Sequence, residues 1–227
     1  MKSLMIVLTI FTLQLEAKLC STQHMSEEDR HDIYFDPNEE FEFTTNIDVN
    51  DELENVPTSF SVQLVGFENW RGGEEVQLKV EKARGKLEKI ISSKLFRTEI
   101  YNHTYAKKQQ FKRNQGKSNQ EIYKIILEGA DKYNRTVDYE LDMILCPYYS
   151  QKNVIGYTYS NRKEIWVNMR YYRDGHAGFD ENSIVGNLLH EWLHNAGFGH
   201  SFEFNSTRKY TVPYAVGYLA SGIAEKL

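Results

Sequence analysis

The chain has 227 residues, a net charge of −5, 41% hydrophobic residues and only 4 prolines. That length holds one domain with a full core, and the composition is globular, with no linker-like or disordered bias. The negative balance argues against a nucleic-acid partner, whose phosphates require a basic surface.

The chain opens "MKSLMIVLTIFTLQLEAKLC". Lys2 supplies a positive start, residues 4–15 form an apolar run, and "LEA" ends on a small residue at Ala17. This reads as an export signal over 1–17, so the expectation is a secreted or extracytoplasmic chain. The run is short for a membrane span and the rest of the chain offers no other, so no stable membrane span is expected. The two cysteines, Cys20 and Cys146, suit a single disulfide in an oxidising compartment. A lipid anchor on Cys20 is the alternative use, and Lys18 and Leu19 just before it disfavour that.

Residues 18–57 are acidic and weakly patterned ("SEEDRHDIYFDPNEEFEF"), which reads as a tail or a pro-region. From 58 onward the pattern becomes regular. "SFSVQLVGF" (59–67) alternates apolar and polar residues, as a strand does. In 72–95, Val76, Leu78, Val80, Leu87, Ile90 and Ile91 recur at helical spacing between charges, which predicts an amphipathic helix. "FRTEIYNHTY" (96–105) reads as a second strand. The basic cluster "AKKQQFKRNQGK" (106–117) reads as a solvated loop. "SNQEIYKIILEGADKYN" (118–134) reads as a helix opened by a capping box, Ser118 with Glu121. "VDYELDMILCPYY" (137–149) reads as a third strand, central over Met143 to Cys146. "VIGYTYSNRKEIWVNMRYY" (154–172) reads as two strands joined by a turn at Ser160, Asn161 and Arg162. Strands alternating with helices imply an α/β (α+β) domain over 58–227, with a mostly parallel sheet.

The loop at 173–182 leads into "GNLLHEWLHNAGFGHSF" (186–202). Asp180 or Asn182 can cap a helix there, with Glu181 near its positive end. Ile184, Val185, Leu188, Leu189, Trp192, Leu193 and Ala196 fall on one broad face. His190 and His194, four residues apart and about 40° apart around the axis, fall on the other. Neutral imidazoles at this spacing bind Zn²⁺, and a catalytic zinc needs a third protein ligand and an open position. Gly197 stands where a helix C-cap takes φ > 0, so the chain can turn and bring His200 back. Glu191 then serves as general base to a water acidified by the metal. His24, His31, His103 and His176 have no partner at ligand spacing and read as surface or loop residues.

"HEWLHNAGFGH" resembles the metzincin zinc-peptidase motif H-E-x-x-H-x-x-G-x-x-H at every fixed position. The resemblance implies a twisted sheet with two long helices above a cleft, the second helix carrying the motif, and a small lower subdomain beginning at His200. It implies Zn²⁺ on His190, His194 and His200, Glu191 as catalytic residue, a protein or peptide substrate, and a monomer. It also implies that an extended substrate pairs antiparallel with the edge strand of the sheet, for which 154–160 or its neighbour is the counterpart. One departure is that no Met follows Met169, so the methionine of the family's turn beneath the metal is absent. "KYTVPYAVGYLA" (209–220) stands there instead, with Val212, Pro213 and Tyr214 as an apolar turn and Tyr214 or Tyr218 beside the metal. Two other readings compete with the exported zinc endopeptidase. One is a non-catalytic binding protein with a structural zinc, and the other is a zinc hydrolase of non-peptide amides.

Overall fold

A computed structural model describes residues 20–21, 30–33, 42–48, 59–132, 136–159, 162–200 and 205–227. The predicted export signal, most of the acidic segment and the centre of the 160–162 turn lie outside the described residues. Five strands form one mixed sheet: β1 (Arg30–Ile33), β2 (Ser59–Leu64), β3 (Glu140–Tyr148), β4 (Gly156–Tyr159) and β5 (Glu164–Asn168). Their spatial order is β1-β4-β5-β3-β2. β2/β3 and β3/β5 pair in parallel, whereas β4/β5 and β1/β4 are antiparallel. The sheet is therefore mixed, not mostly parallel, because β4 and β5 form a hairpin without a crossover helix.

Alternation along β3 explains its central place. Leu141, Met143 and Leu145 enter the main core, while Ile144, Cys146 and Tyr148 join a second cluster with Tyr157, Tyr159 and Trp166 on the opposite face. In that second cluster the Tyr157 and Trp166 rings stack at 5.3 Å.

Helices α1 (Gly73–Ser92), α2 (Lys94–Asn102) and α3 (Asn119–Glu128) lie between β2 and β3 in sequence. After β5 come the short α4 (Met169–Tyr172), then α5 (Glu181–Asn195) and α6 (Val212–Ala224). α1 buries Val76, Val80, Leu87, Ile90 and Ile91 as its spacing predicts, whereas Leu78 stays 66% exposed. The capping box at Ser118 and Glu121 forms as predicted, and α3 ends at Gly129, whose φ is 69°.

Two local expectations are corrected. Residues 96–105 are not a strand: Ser93 caps a helix by accepting from the Phe96 N–H, and Leu95, Phe96, Glu99 and Ile100 form its buried stripe. The β-branched and aromatic residues of that stretch occur at helical spacing, and tertiary burial overrides their strand preference. Nor are β4 and its neighbour β5 at the edge of the sheet. β1, from the acidic segment, covers β4 with Arg30 opposite Tyr159 and Ile33 opposite Gly156.

The acidic segment is also held at two further points. Cys20 forms a disulfide with Cys146. Thr44 and Thr45 close on the buried Glu99 carboxylate, which accepts from both backbone N–H groups (2.8–3.0 Å) and both hydroxyls (2.7 and 2.9 Å). Four donors on one desolvated carboxylate tie the segment to α2. Glu99→Gln places an amide N–H₂ against those donors, and unfolding in urea should show a loss of about 2–3 kcal/mol. An unchanged midpoint would mean that the Thr44–Glu99 contact carries no stability.

His103, read from sequence as a surface or loop residue, is largely buried and stacks on Phe111 at 4.1 Å. Burial pushes its imidazole down to about 4, with the Glu99 charge opposing. An unfolded His titrates near ~6.5, so between pH ~6.5 and about 4 the unfolded chain takes up a proton that the folded chain refuses. The stability linked to His103 is thus present above pH ~6.5 and lost as the pH falls toward 4. In His103→Phe, urea unfolding across this range should lose less stability than in the parent chain. Parallel pH curves would refute the assignment.

Candidate metal centre

α5 begins at Asp180, whose carboxylate accepts from the Ser183 N–H (2.8 Å) and hydroxyl (2.9 Å). All its residues from Ile184 to Asn195 are buried, so the histidine-bearing side is covered as well as the core-facing side. The cover is α6. Gly186 and Gly217 meet where the two helices cross: a Cβ on Gly217 would lie 2.9 Å from the Gly186 carbonyl oxygen, and one on Gly186 would lie 2.6 Å from that of Gly217. Only glycine at both positions allows this approach.

Each histidine is then placed by the backbone around it. α5 ends in a Schellman turn: the Gly197 N–H bonds to the His194 carbonyl (3.0 Å) and the Phe198 N–H to that of Leu193 (2.9 Å). Gly197 has φ +97° there, and no atom crowds its missing Cβ, so backbone conformation alone requires glycine. The turn presents the Phe198 carbonyl to His194 Nδ1 at 2.8 Å. The Pro213 backbone acts on the His190 imidazole in the opposite sense to burial, favouring its protonated form. On the inner side, His194 Nε2 lies 3.2 Å from His190 Nε2. One ligand atom from each of His190, His194 and His200 lies within 4.8 Å of the other two. The motif histidines thus converge as their spacing predicts.

The stretch 212–214 is the first turn of α6, not a free apolar turn, with Pro213 at its N-terminal end. It still lies against the cluster: the Tyr214 ring is 4.4 Å from His190 and 4.8 Å from His200. The Arg208 guanidinium lies 4.2 Å over the other partner of that stack, the Tyr214 ring. Tyr218 is 5.8 Å from Tyr214 and lines a pocket of ≈ 390 Å³ with Ile155, Phe179, Asn187, His190 and Tyr214. That pocket opens beside His190 between α5 and α6 and is mainly apolar.

Burial pushes the His190 imidazole well below its ordinary range, and the charges of His194, His200 and Arg208 act the same way. The three rings form a nitrogen-only donor set in which burial favours the neutral form of His190 and the Phe198 carbonyl orients His194. That is the chemistry of a first-row divalent cation site, and it fits zinc. Glu191 is wholly buried, and desolvation pushes its carboxyl well above the usual carboxylate range. Its Oε1 accepts from Asn187 Nδ2 at 3.0 Å, while Oε2 has no hydrogen-bond partner among the described residues. The hydroxyl of the buried Tyr172 also lacks one among them, and its phenol is pushed up by burial and then by the Glu191 charge.

Asn187, Arg208 and the Gly186/Gly217 contact were not singled out from sequence. Asn187 stands four residues before Glu191 on one helix face, a spacing that could have indicated it. Arg208 and the glycine pair depend on how α6 folds back, which no local pattern reports. His176 lies in the turn before α5, edge-on to Tyr171 at 5.1 Å, apart from the triad. Among the described residues, no helix is long and apolar enough to cross a membrane.

Comparison with protein-family models, with curated proteins and with solved structures gives no match to this chain. Fold and site together thus define an α+β protein with a mixed sheet and a three-histidine group able to bind a metal ion.

The helix contact and the donor set give one joint expectation. The purified chain should take up about one zinc per molecule, measured by elemental analysis. Gly217→Ala puts a methyl 3.2 Å from His190 Cβ as well as against Gly186. It should lower both zinc affinity and Tm, since overpacking costs about 1–3 kcal/mol. Gly85→Ala in α1, where nothing lies within 4 Å, serves as the control and should hold or raise Tm. Unchanged zinc affinity in Gly217→Ala would separate the helix contact from the metal site.

Proposed function

We propose that this chain is a zinc-dependent endopeptidase of metzincin type, exported from the cell. The observation that carries the reading is the convergence of His190, His194 and His200, with a carboxylate next to the first of them in sequence. The Cys20–Cys146 disulfide is compatible with an extracellular location. His190, His194 and His200 would hold the zinc. When bound, it would supply Lewis acidity, which acidifies water and polarises a carbonyl.

The remaining work falls to the chain's own groups. Glu191 takes the proton of the attacking water and delivers it to the leaving amine nitrogen. Asn187 fixes the carboxylate through Oε1, so that Oε2 is the oxygen left for the proton. The Tyr214 hydroxyl donates to the carbonyl oxygen as charge develops there. The pocket beside His190 accepts a side chain of the substrate next to the scissile bond.

The complete burial of Glu191 favours a second reading, in which the zinc is a structural clasp in a binding protein. One pair of variants separates the two. Under the peptidase reading, Glu191→Ala keeps the zinc and loses at least about 10²-fold in turnover of a peptide-library substrate. His194→Ala loses both zinc and turnover. Hydrolysis at the parent rate in Glu191→Ala would end the mechanism, and chelator-sensitive stability without any hydrolysis would favour the clasp.

A further inference from the structure

The basic cluster 106–117, expected to be a solvated loop, is largely exposed, and with Thr104 and Tyr105 before it forms a loop, 104–117, built onto the rim of the three-histidine group. The Lys112 N–H donates to the Tyr210 carbonyl at 2.8 Å, and Lys112 pairs in parallel with Thr211, the residue that caps α6. Lys112 Nζ donates to the Thr207 hydroxyl, and Gln115 Nε2 to the carbonyl of Gly197, in the turn between His194 and His200. Tyr105 packs on Tyr210 at 5.5 Å, and Lys112 Nζ lies 5.9 Å over the Tyr105 ring. The loop thus touches both segments that complete the site.

Its backbone is costly to hold. Ala106, Lys107, Arg113 and Gln115, none of them glycine, have φ of 52° to 63°. Each such residue costs on the order of 1 kcal/mol, so the contacts just named must enforce the shape. That shape leaves Lys107, Lys108 and Arg113 exposed and without an ion pair to a described residue. Residues 103–119 contain no Asp or Glu, and the described residues of 192–219 contain none either. Lys117 and the exposed Lys209 extend the same cationic rim.

From this we infer that loop 104–117 is a docking surface for an acidic polypeptide segment that passes the metal centre. The rest of the molecule selects a peptide over a larger polyanion. The chain carries −5 overall, so a nucleic acid or an extended sulfated chain would meet repulsion beyond the loop. A short acidic segment senses only charges within about 8–10 Å at ordinary salt, where the described residues of 103–119 and 192–219 carry no acidic side chain. Calling that segment part of the substrate rests on the peptidase reading. Its docking does not.

The test uses the full chain and a fluorescein-labelled hexaglutamate peptide, read by anisotropy. The parent should bind it, with affinity falling steeply as salt rises, and should not bind a hexaglutamine peptide. Lys107→Gln, Lys108→Gln and Arg113→Gln combined should weaken binding at least about tenfold. Lys89→Gln, Lys94→Gln and Lys152→Gln combined make the same change in net charge on exposed residues elsewhere, and should leave binding unchanged. Equal loss in both variants, or no binding to the parent, overturns the inference. So does a heparin oligosaccharide that binds the loop and resists displacement by hexaglutamate. On a cleavable peptide, the loop variant should raise KM for an acid-extended substrate while sparing kcat and the neutral substrate. If no peptide is cleaved at all, the peptidase reading fails while the anisotropy result still decides the docking surface.

Discussion

The close crossing of α5 and α6 at Gly186 and Gly217 is the constraint on which the site depends. Two backbones in direct contact leave no room for side chains between them, so whatever α6 carries just before the crossing is pressed onto the histidine face of α5. What it carries is the Pro213 carbonyl and the Tyr214 ring. The Tyr214 ring packs against His190 and His200. Apolar support for the three-histidine group comes here from an aromatic ring set against two imidazoles and a guanidinium, in a stretch that holds no methionine.

A second constraint ties the amino-terminal segment to the same body. Twelve Asp and Glu against two Lys and Arg make this segment, residues 18–57, strongly acidic, and of its described residues Phe43 and Ile47 pack against the core. It is held by specific bonds: the disulfide to β3, four ladder positions on β4 and the Thr44–Thr45 clamp on Glu99. The pairing with β4 satisfies backbone groups that would otherwise form an open sheet edge next to the hairpin. An incoming extended peptide therefore meets β4 already paired, and would have to displace β1 or dock elsewhere. The cationic rim across the cluster offers such a place, built from residues whose contacts do not involve the sheet.

Much of this was legible in the sequence where a local rule was sufficient. The Ser118–Glu121 box, the central strand β3, the Asp180 cap and the positive φ at Gly197 each follow from a few adjacent residues, and each occurs. The three histidines converge for the same reason, since one helix turn and one glycine set their spacing. Failures occurred where distant segments decide. Residues 96–105 carry strand-like residues but form α2, because the stripe of Leu95, Phe96 and Ile100 finds a core to enter. β4 looked like an edge because nothing in 154–160 reports that 30–33 will pair with it. The basic loop is solvent-facing as read, but no periodicity marks the bonds that Lys112 and Gln115 make to the site.

The buried carboxylate shows how these levels meet. Glu191 is carried inward by a helix that α6 covers on its polar side, so its solvation must come from within the fold. Asn187 provides one donor, and no second donor reaches Oε2 among the described residues. Burial alone pushes a carboxyl so placed toward its neutral form. A divalent cation on the three imidazoles would change that balance, because opposite charge in a desolvated region favours the ionised form most strongly. The burial that makes an ionised Glu191 costly would thus also couple it to a cation bound there. A surface carboxylate at the same sequence position, solvated by water, would respond to the cation far less.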